Sequence, residues 1–531
     1  MTLTKRVMVS VIGLLAWAAS TATAQSVSQE SGLEAPASAT SPADPFATGY
    51  EAAVSAYRAA IDFSAPFEPV VDLPATGAVA GDGLTPWSLD ELLALAAGRN
   101  PGLRALAEAE AAAAADLAGA RARRLPTLRA ETSGTYIGNP MGPIALTAGQ
   151  LGAFQGVSIP PEDVIIYKGM ESYNYDFALI GEVPLYTWGK IAIGVDLARA
   201  GLDAAGLQRR KAERELAARM RGDWDALACL RAADEMLGLQ ATIGRRLVEL
   251  AEASAEAGFM TRADLAGARI KLKEIDIARV RLDERRDKLL AELASMAGLD
   301  ALSKDDLEMT PPIAGSPRWT EAEAGALALG NSYDLALLEA QLVARRGLRD
   351  LAEAEAKGRP DIGLRVELSY GGSRLPFVEK DWFGQDDYQL TFSVGTSGNI
   401  FGNAVKEGEA AKARALLAEA AAQRADAERA IRSFVRDTWL GMELGRARLE
   451  YAALRQEGWA ADLAQKRAAL RAGGGSESEY LTGMIEALGS LAEAYGTLAE
   501  YRGALVSLDA LAGSPSPAAP ATAPMEAPTA P

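Results

Sequence analysis

Residues 175–189 read YDFALIGEVPLYTWG, and a proline-free run follows from Lys190 to Ala257. Tyr175, Phe177, Leu179, Gly181, Val183 and Leu185 recur every second position, which is a strand signal. The run behind them is rich in alanine and charge; as one helix rising ~1.5 Å per residue it would extend about 100 Å. A strand that feeds directly into a very long helix is an unusual unit, and the chain contains it twice. Residues 388–402 read YQLTFSVGTSGNIFG, with Tyr388, Leu390, Phe392 and Val394 opposing Gln389, Thr391 and Ser393, and a second proline-free run covers 404–472. Tyr175 to Gly189 and Tyr388 to Gly402 span the same 14 residues, which argues for duplication.

The duplication extends outward. One copy opens at Trp87-Ser88-Leu89-Asp90-Glu91 and reaches Asn100-Pro101; the other opens at Trp319-Thr320-Glu321-Ala322-Glu323 and reaches Asn331-Ser332. Ser88 with Glu91, and Thr320 with Glu323, have the capping-box spacing. Each opening helix is expected to end at a proline, Pro126 or Pro360, followed by alternation: Leu128 to Tyr136 in the first copy, Ile362 to Tyr370 in the second. Both long helices break at glycine, at Gly258 and at Gly473-Gly474-Gly475. Both restart on a capping-box pattern, Thr261 with Asp264 and Ser476 with Glu479. Opening helix 88–125 and closing helix 261–297 together roughly match the long helix, so two short helices end to end are expected beside each long one. Leu216, Met220, Trp224, Leu227 and Leu230 give a helix–helix seam.

The expected organisation is therefore a signal peptide (1–24), an Ala/Pro/Ser-rich N-terminal extension (25–85), a first repeat (86–300), a linker (301–318), a second repeat (319–512) and a Pro/Ala-rich tail (513–531). The signal assignment rests on Lys5 and Arg6, the apolar run Val7–Ala19, and the A-x-A-like Ala22-Thr23-Ala24 before Gln25. The extension is expected to be an extended or poorly ordered lead-in.

Composition excludes whole classes of chemistry. The 531 residues include no histidine and one cysteine, Cys229. Ser-His and Cys-His nucleophiles, histidine-ligated metals and internal disulfides are ruled out. A net charge of −17 argues against nucleic acid as a partner. No catalytic constellation, metal site or cofactor motif emerges. The adjacent carboxylates Asp386-Asp387 are read as solvated loop residues, and the chain is not expected to be an enzyme.

The strands decide the function. Four strands of about ten residues, each apolar on one face and polar on the other, have the pattern of outer-membrane barrel strands. Four cannot close a barrel, and an open edge cannot sit in lipid. Chains must pool strands, and three copies would supply twelve. Tyr136, Tyr175, Tyr370 and Tyr388 fall at strand ends, where an aromatic girdle would lie. Loop 138–172 carries much apolar content and is long for a hairpin connection, as a lid or plug would be; loop 371–387 is shorter, with Phe377, Trp382 and Phe383. The polar strand faces carry Arg129, Glu131, Asp176, Glu182, Arg365 and Glu367, which would line water in a barrel and be ordinary solvated positions in a soluble hairpin.

With these motifs in order, twice, the chain resembles the TolC-like outer-membrane efflux protein family over residues 86–512. The resemblance is carried by the Ser88/Thr320 openings, Asn100-Pro101, Leu125-Pro126 before a strand, Val183-Pro184-Leu185-Tyr186 with Gly189, and Ala257 to Leu265. It departs at Ser397 and at the triple glycine. The resemblance implies a mainly α fold with a small β part: a long antiparallel coiled-coil helical barrel with four transmembrane strands per chain, completing a 12-stranded barrel as a homotrimer. It implies localisation in the cell outer membrane with a long periplasmic extension. It also implies work with a periplasmic adaptor and an inner-membrane pump of the proton-driven or ABC type. The expected function is a passive exit duct, gated at its periplasmic tip, for small molecules or secreted polypeptides. A duct devoted to type I protein secretion is the alternative, and a periplasmic scaffold without a pore is the rival from another class.

At the tip, Asp264, Glu477 and Glu479 are candidates for an acidic entrance constriction, weighed against simple helix capping. Gly258, Phe259, Thr261, Gly473, Gly474, Gly475 and Ser476 are candidates for docking the adaptor.

Overall fold

The computed structural model describes residues 45–69, 73, 86–375, 377–378, 380, 388–397 and 404–513. The expected signal peptide, most of loop 371–387 and nearly all of the tail lie outside the described residues. The chain divides into Met1–Pro45 and Phe46–Pro531, and the second unit carries the architecture.

Its elements run α1 (Pro45–Ala60), α2 (Leu89–Arg99), α3 (Pro101–Ala122), β1 (Thr127–Tyr136), β2 (Ile144–Leu146), β3 (Ala153–Phe154), β4 (Val157–Ser158), β5 (Val164–Tyr167), β6 (Tyr173–Tyr186), α4 (Lys190–Glu256), α5 (Arg262–Ala297), α6 (Glu321–Asn331), α7 (Tyr333–Ala356), β7 (Asp361–Gly372), β8 (Tyr388–Ser397), α8 (Ala404–Arg471) and α9 (Glu477–Ala512). The fold is mainly helical with a small antiparallel sheet. The long helices α4 and α8 contain 67 and 68 residues.

Four rows of helix lie side by side. α3 and α5 pack along α4; α4 packs along α7 and α9; α7 and α9 pack along α8. The stacking of short helices beside long ones thus appears in both copies. The seam is buried where expected: Met220 and Leu227 are fully enclosed with Leu216 and Trp224 packed against their cluster, and Leu230 packs on the adjoining cluster of Ala233, Leu237 and Leu282. α9 is the most enclosed rod, with Leu481, Leu488, Leu491, Tyr495 and Leu498 inside the largest apolar cluster.

Neither opening helix is continuous. The first breaks at Asn100 and the second at Ser332, where ψ near +120° leaves the helical region. Each break is an end-to-end joint. Asn100 Oδ1 accepts the Leu103 N–H and so caps α3, while its Nδ2 donates to the Met296 carbonyl at the end of α5 (3.0 Å). In the second copy Ser332 Oγ accepts the Leu335 N–H, and Asn331 Nδ2 donates to the carbonyls of Ala512 (3.1 Å) and Gly513 (2.7 Å) behind α9. Orphan groups at helix ends need partners; one asparagine supplies both in the first joint, and a serine and an asparagine share the task in the second.

Part of the stretch expected to be extended is the helix α1, a correction with a clear cause. Tyr50, Ala53, Val54 and Tyr57 make one apolar face that the Ala/Pro/Ser-rich average conceals, and all four are buried. Tyr57 meets Tyr495 edge-on at 5.5 Å, and the Tyr50 hydroxyl donates to Gln456 Oε1 (3.2 Å). Beyond α1, Phe67 lies under the guanidinium of Arg502, which is ion-paired with the buried Asp225 at 2.8 Å.

One half-buried carboxylate lacks such compensation. Asp223 Oδ2 is enclosed without a hydrogen-bond partner. Burial, reinforced by nearby Glu292 and opposed by Arg219, raises its pKa from 3.8 to about 6. The folded state therefore holds a proton that the unfolded chain releases, and stability falls as pH rises from about 4 to 6, by on the order of 2 kcal/mol. The variant Asp223→Asn should match wild type in thermal unfolding near pH 4 and unfold at a higher temperature above pH 6.5. An unchanged difference between the two proteins across that range would refute the assignment.

Candidate functional site

The sheet order is β1-β6-β7-β8, all antiparallel. Registers align the faces across strands. Thr127, Arg129, Glu131 and Ser133 stand opposite Glu182, Ile180, Ala178 and Asp176. Those in turn stand opposite Arg365, Glu367, Ser369 and Gly371, and β8 adds Ser393, Thr391 and Gln389. All six sequence-predicted strand charges thus share one face, because a period of two keeps its phase across matched strands. Arg365 bridges Glu182 (3.2 Å) and Glu367 (2.9 Å), Arg129 pairs with Glu131 (2.9 Å), and Ser133 Oγ donates to Asp176 (3.1 Å). Two of the six are basic and four acidic, so the face is net negative.

One large apolar residue interrupts it, beside the small Ala178. Ile180 is 3% exposed and stands in register between Arg129 and Glu367. The opposite face is apolar and bare: Leu128 is 73% exposed, Phe392 69% and Val394 67%. Its order comes from neighbouring strands and, at one end, from the loop that follows β7, where Phe177 meets Phe377 edge-on at 5.2 Å and the Tyr370 hydroxyl donates to the Arg374 carbonyl (2.9 Å). Among the described residues, the outer strands β1 and β8 each have one unpaired edge.

Loop 138–172 is not a simple connection. It carries two short ladders, β2–β5 and β3–β4. Ala148 N–H donates to Asp163 Oδ1 (2.7 Å), and Gly169, at φ +86°, passes within 2.9 Å of Pro143 N at its ideal Cβ position, which excludes any other residue. Ile144, Leu151, Phe154, Ile165 and Ile166 remain exposed.

At the far end of the rods, the first turn is as expected. Gly258 takes φ +78°, Phe259 is 89% exposed, and Thr261 caps α5. Thr261 Oγ1 accepts the Asp264 N–H (3.2 Å), and Asp264 Oδ2 accepts from the Thr261 hydroxyl (2.7 Å) and N–H (3.3 Å). Asp264 is occupied as a cap.

The second turn differs from the expectation. Ser476 makes no capping bond; its hydroxyl lies 2.7 Å from that of Ser478. Glu479 is left exposed and, among the described residues, without an ion pair. Gly473 takes φ +73°, and at Gly475 an added Cβ would lie 2.8 Å from Leu470 N, whereas at Gly474 it would meet nothing. Glu477 pairs with Arg246 of α4 at 3.2 Å, joining the two hairpins. Arg246 precedes the end of α4 by ten residues, so the turns share one end of the rods but are offset by on the order of 10 Å. Sequence reading passed over Arg246, one of many exposed arginines on an amphipathic helix; only the pairing of α4 with α9 singles it out.

Comparison with known proteins agrees with this geometry. The family model described as "outer membrane efflux protein" matches residues 92–299, within the first copy. No curated protein matches the chain in sequence. Among solved structures, the outer-membrane channel CmeC of Campylobacter jejuni is similar at 14% identity and a TM-score of 0.63, over 85% of this chain and 94% of that one. The outer membrane protein VceC of Vibrio cholerae is similar at 18% identity and 0.60, over 80% and 94%. The open-state channel MtrE of Neisseria gonorrhoeae is similar at 16% and 0.56, over 85% and 95%. Residues 92–299 are therefore an outer membrane efflux protein domain, and the chain as a whole has the fold of the TolC-like outer-membrane channels.

Proposed function

We propose that three copies of the chain close into one 12-stranded barrel in the outer membrane and one helical tunnel in the periplasm, forming the exit duct of a tripartite export system. The observation that carries this reading is a sheet sorted into a charged face and a bare apolar face, with both edges open. Two copies would give eight strands, a barrel whose interior side chains fill it; three give the smallest multiple of four that leaves a lumen. The helical rows support the same closure. The outer flank of α8 exposes Leu440, Leu444, Tyr451 and Leu454, and α5 exposes Ile270, Ile277 and Val280 at the opposite edge. Such flanks suit head-to-tail packing of copies.

In this reading Arg129, Glu131, Asp176, Glu182, Arg365 and Glu367 line water. Transport is passive, driven by an inner-membrane pump of the proton-driven or ABC type through a periplasmic adaptor that docks on the glycine turns. Asp264 serves the helix cap, and the entrance charge falls to Glu479, with Glu477 held by Arg246 in the closed state.

Planar-bilayer recording of the detergent-extracted protein should give discrete conductance steps; a water-soluble monomer that never conducts would overturn the proposal. In the same recordings Glu479→Gln should lower the preference for cations, and unchanged selectivity would remove Glu479 from the entrance constriction.

The turns separate docking from folding. Gly474→Arg has room and should leave the trimer intact while export falls. Gly475→Ala, with its Cβ driven into the Leu470 backbone, should damage the turn itself. Full export by a Gly474→Arg trimer would remove this turn from adaptor docking.

A further inference from the structure

The junctions between helices and strands lie at one end of the sheet, and they are basic on a chain of net charge −17. Arg121, Arg123 and Arg124 close α3, Lys357 and Arg359 close α7, and all five are exposed. Three acids at the same level are already matched: Asp361 by Lys190 (2.9 Å), Glu355 by Lys406 (3.1 Å) and Glu353 by Arg414 (2.8 Å); Glu407 and Glu409 of α8 are exposed and, among the described residues, without an ion pair. Arg121, Arg123 and Arg124 have no ion pair among the described residues. Lys357 stands near the already paired Glu353, and Arg359 stacks over the Trp188 ring at 4.8 Å.

Helix-end electrostatics explains only part of this excess. Cations favour a helix C-terminus, but the effect fades beyond the last turn, and Lys190 sits at the opposite, positive end of α4. The order of surfaces is more telling. The sheet offers exposed Leu128, Phe392 and Val394; then come Leu125, Tyr186 and Trp188; then the cations. Tyr186 and Trp188 meet edge-on at 4.7 Å, and Trp188 Nε1 donates to the Pro360 carbonyl (2.9 Å), which fixes the aromatic layer against the α7–β7 junction. Apolar, aromatic and cationic layers in that order match hydrocarbon, interface and phosphate.

We infer that this collar binds the anionic phosphates of phospholipid headgroups in the membrane leaflet on the helical side, an inference that rests on the membrane reading above. Charge complementarity selects the partner. The acids packed against α7 and β7 are spent, the five exposed cations outnumber the exposed Glu407 and Glu409 of α8, and a layer of headgroups presents phosphate all round the collar at the height where the cations stand. The collar would fix how deep the barrel sits and keep the helices out of the bilayer.

Native mass spectrometry of the detergent-extracted full chain tests this with phosphatidylglycerol and phosphatidylcholine as probes. Wild type should retain phosphatidylglycerol in preference, and R121Q/R123Q/R124Q should lose on the order of tenfold in that affinity with phosphatidylcholine unaffected. K357Q/R359Q, on the inner α7 row away from the edges between copies, should show a similar loss in an intact trimer. Unchanged phosphatidylglycerol binding in both variants overturns the collar. So does loss of trimer with headgroup binding intact, which would mean that the α3 arginines face Glu407 and Glu409 of a neighbouring copy. Entry into lipid with no headgroup preference refutes the collar alone, whereas a wild-type protein that takes up neither detergent nor lipid refutes the membrane reading beneath it.

Discussion

A backbone N–H or C=O that faces hydrocarbon has nothing to bond, and each costs several kcal/mol. That constraint governs the β part of this chain. β6 and β7 have partners on both sides, while β1 and β8 have, among the described residues, none on their outer sides. Water could satisfy those edges; it could not satisfy the other demand of the sheet, which is to cover an apolar face with Leu128, Phe392 and Val394 in the open. Lipid meets the second demand only if copies of the chain meet the first. In the proposed barrel the edges and the apolar face would be satisfied together, and closing the edges would enclose the charged face around water.

The rods carry the same logic without backbone cost. A helix of 67 residues satisfies its own backbone, so its length is limited only by side-chain packing along it. α4 has continuous neighbours because α3 and α5 meet end to end beside it. The weak points are these joints, where orphan carbonyls and amides would face each other. Asn100 solves this with one amide, accepting on one side and donating on the other, and the second copy divides the tasks between Ser332 and Asn331. α1 adds a brace across the rods: Gly49 packs on Leu239 of α4, Tyr50 bonds Gln456 of α8, and Tyr57 meets Tyr495 of α9.

Much of this was legible in the sequence, and the reasons are local. A period of two survives in β1, β6, β7 and β8 because each strand has one apolar face, and the same phase carries the six charges to one side. Long proline-free runs read as long helices, and the joints left a trace as Asn100-Pro101 and Asn331-Ser332, although a break inside a strong helical pattern was not visible. What escaped the sequence depended on tertiary neighbours. α1 is four apolar residues in a stretch averaged over alanine, proline and serine, and its partners lie hundreds of positions away. Ile180 reads as an irregularity in the polar phase until its flanking side chains are known. Loop 138–172 gave its apolar content but not its ladders, which rest on turn geometry such as Gly169.

The two tip turns share an ancestry and diverge in what they do with one acidic position. In the first, Thr261 and Asp264 satisfy each other, so the carboxylate is spent on the helix end and the turn needs a single left-handed glycine. In the second, Ser476 turns to Ser478 and the cap is lost. A helix that gives up its cap forgoes about 1 kcal/mol. α9 can bear that loss because its apolar surface is more deeply enclosed than that of α5, so tertiary packing rather than capping sets where it starts. The same sequence motif therefore reads as structure in one copy, while in the other it leaves the Glu479 carboxylate exposed and free of the helix end.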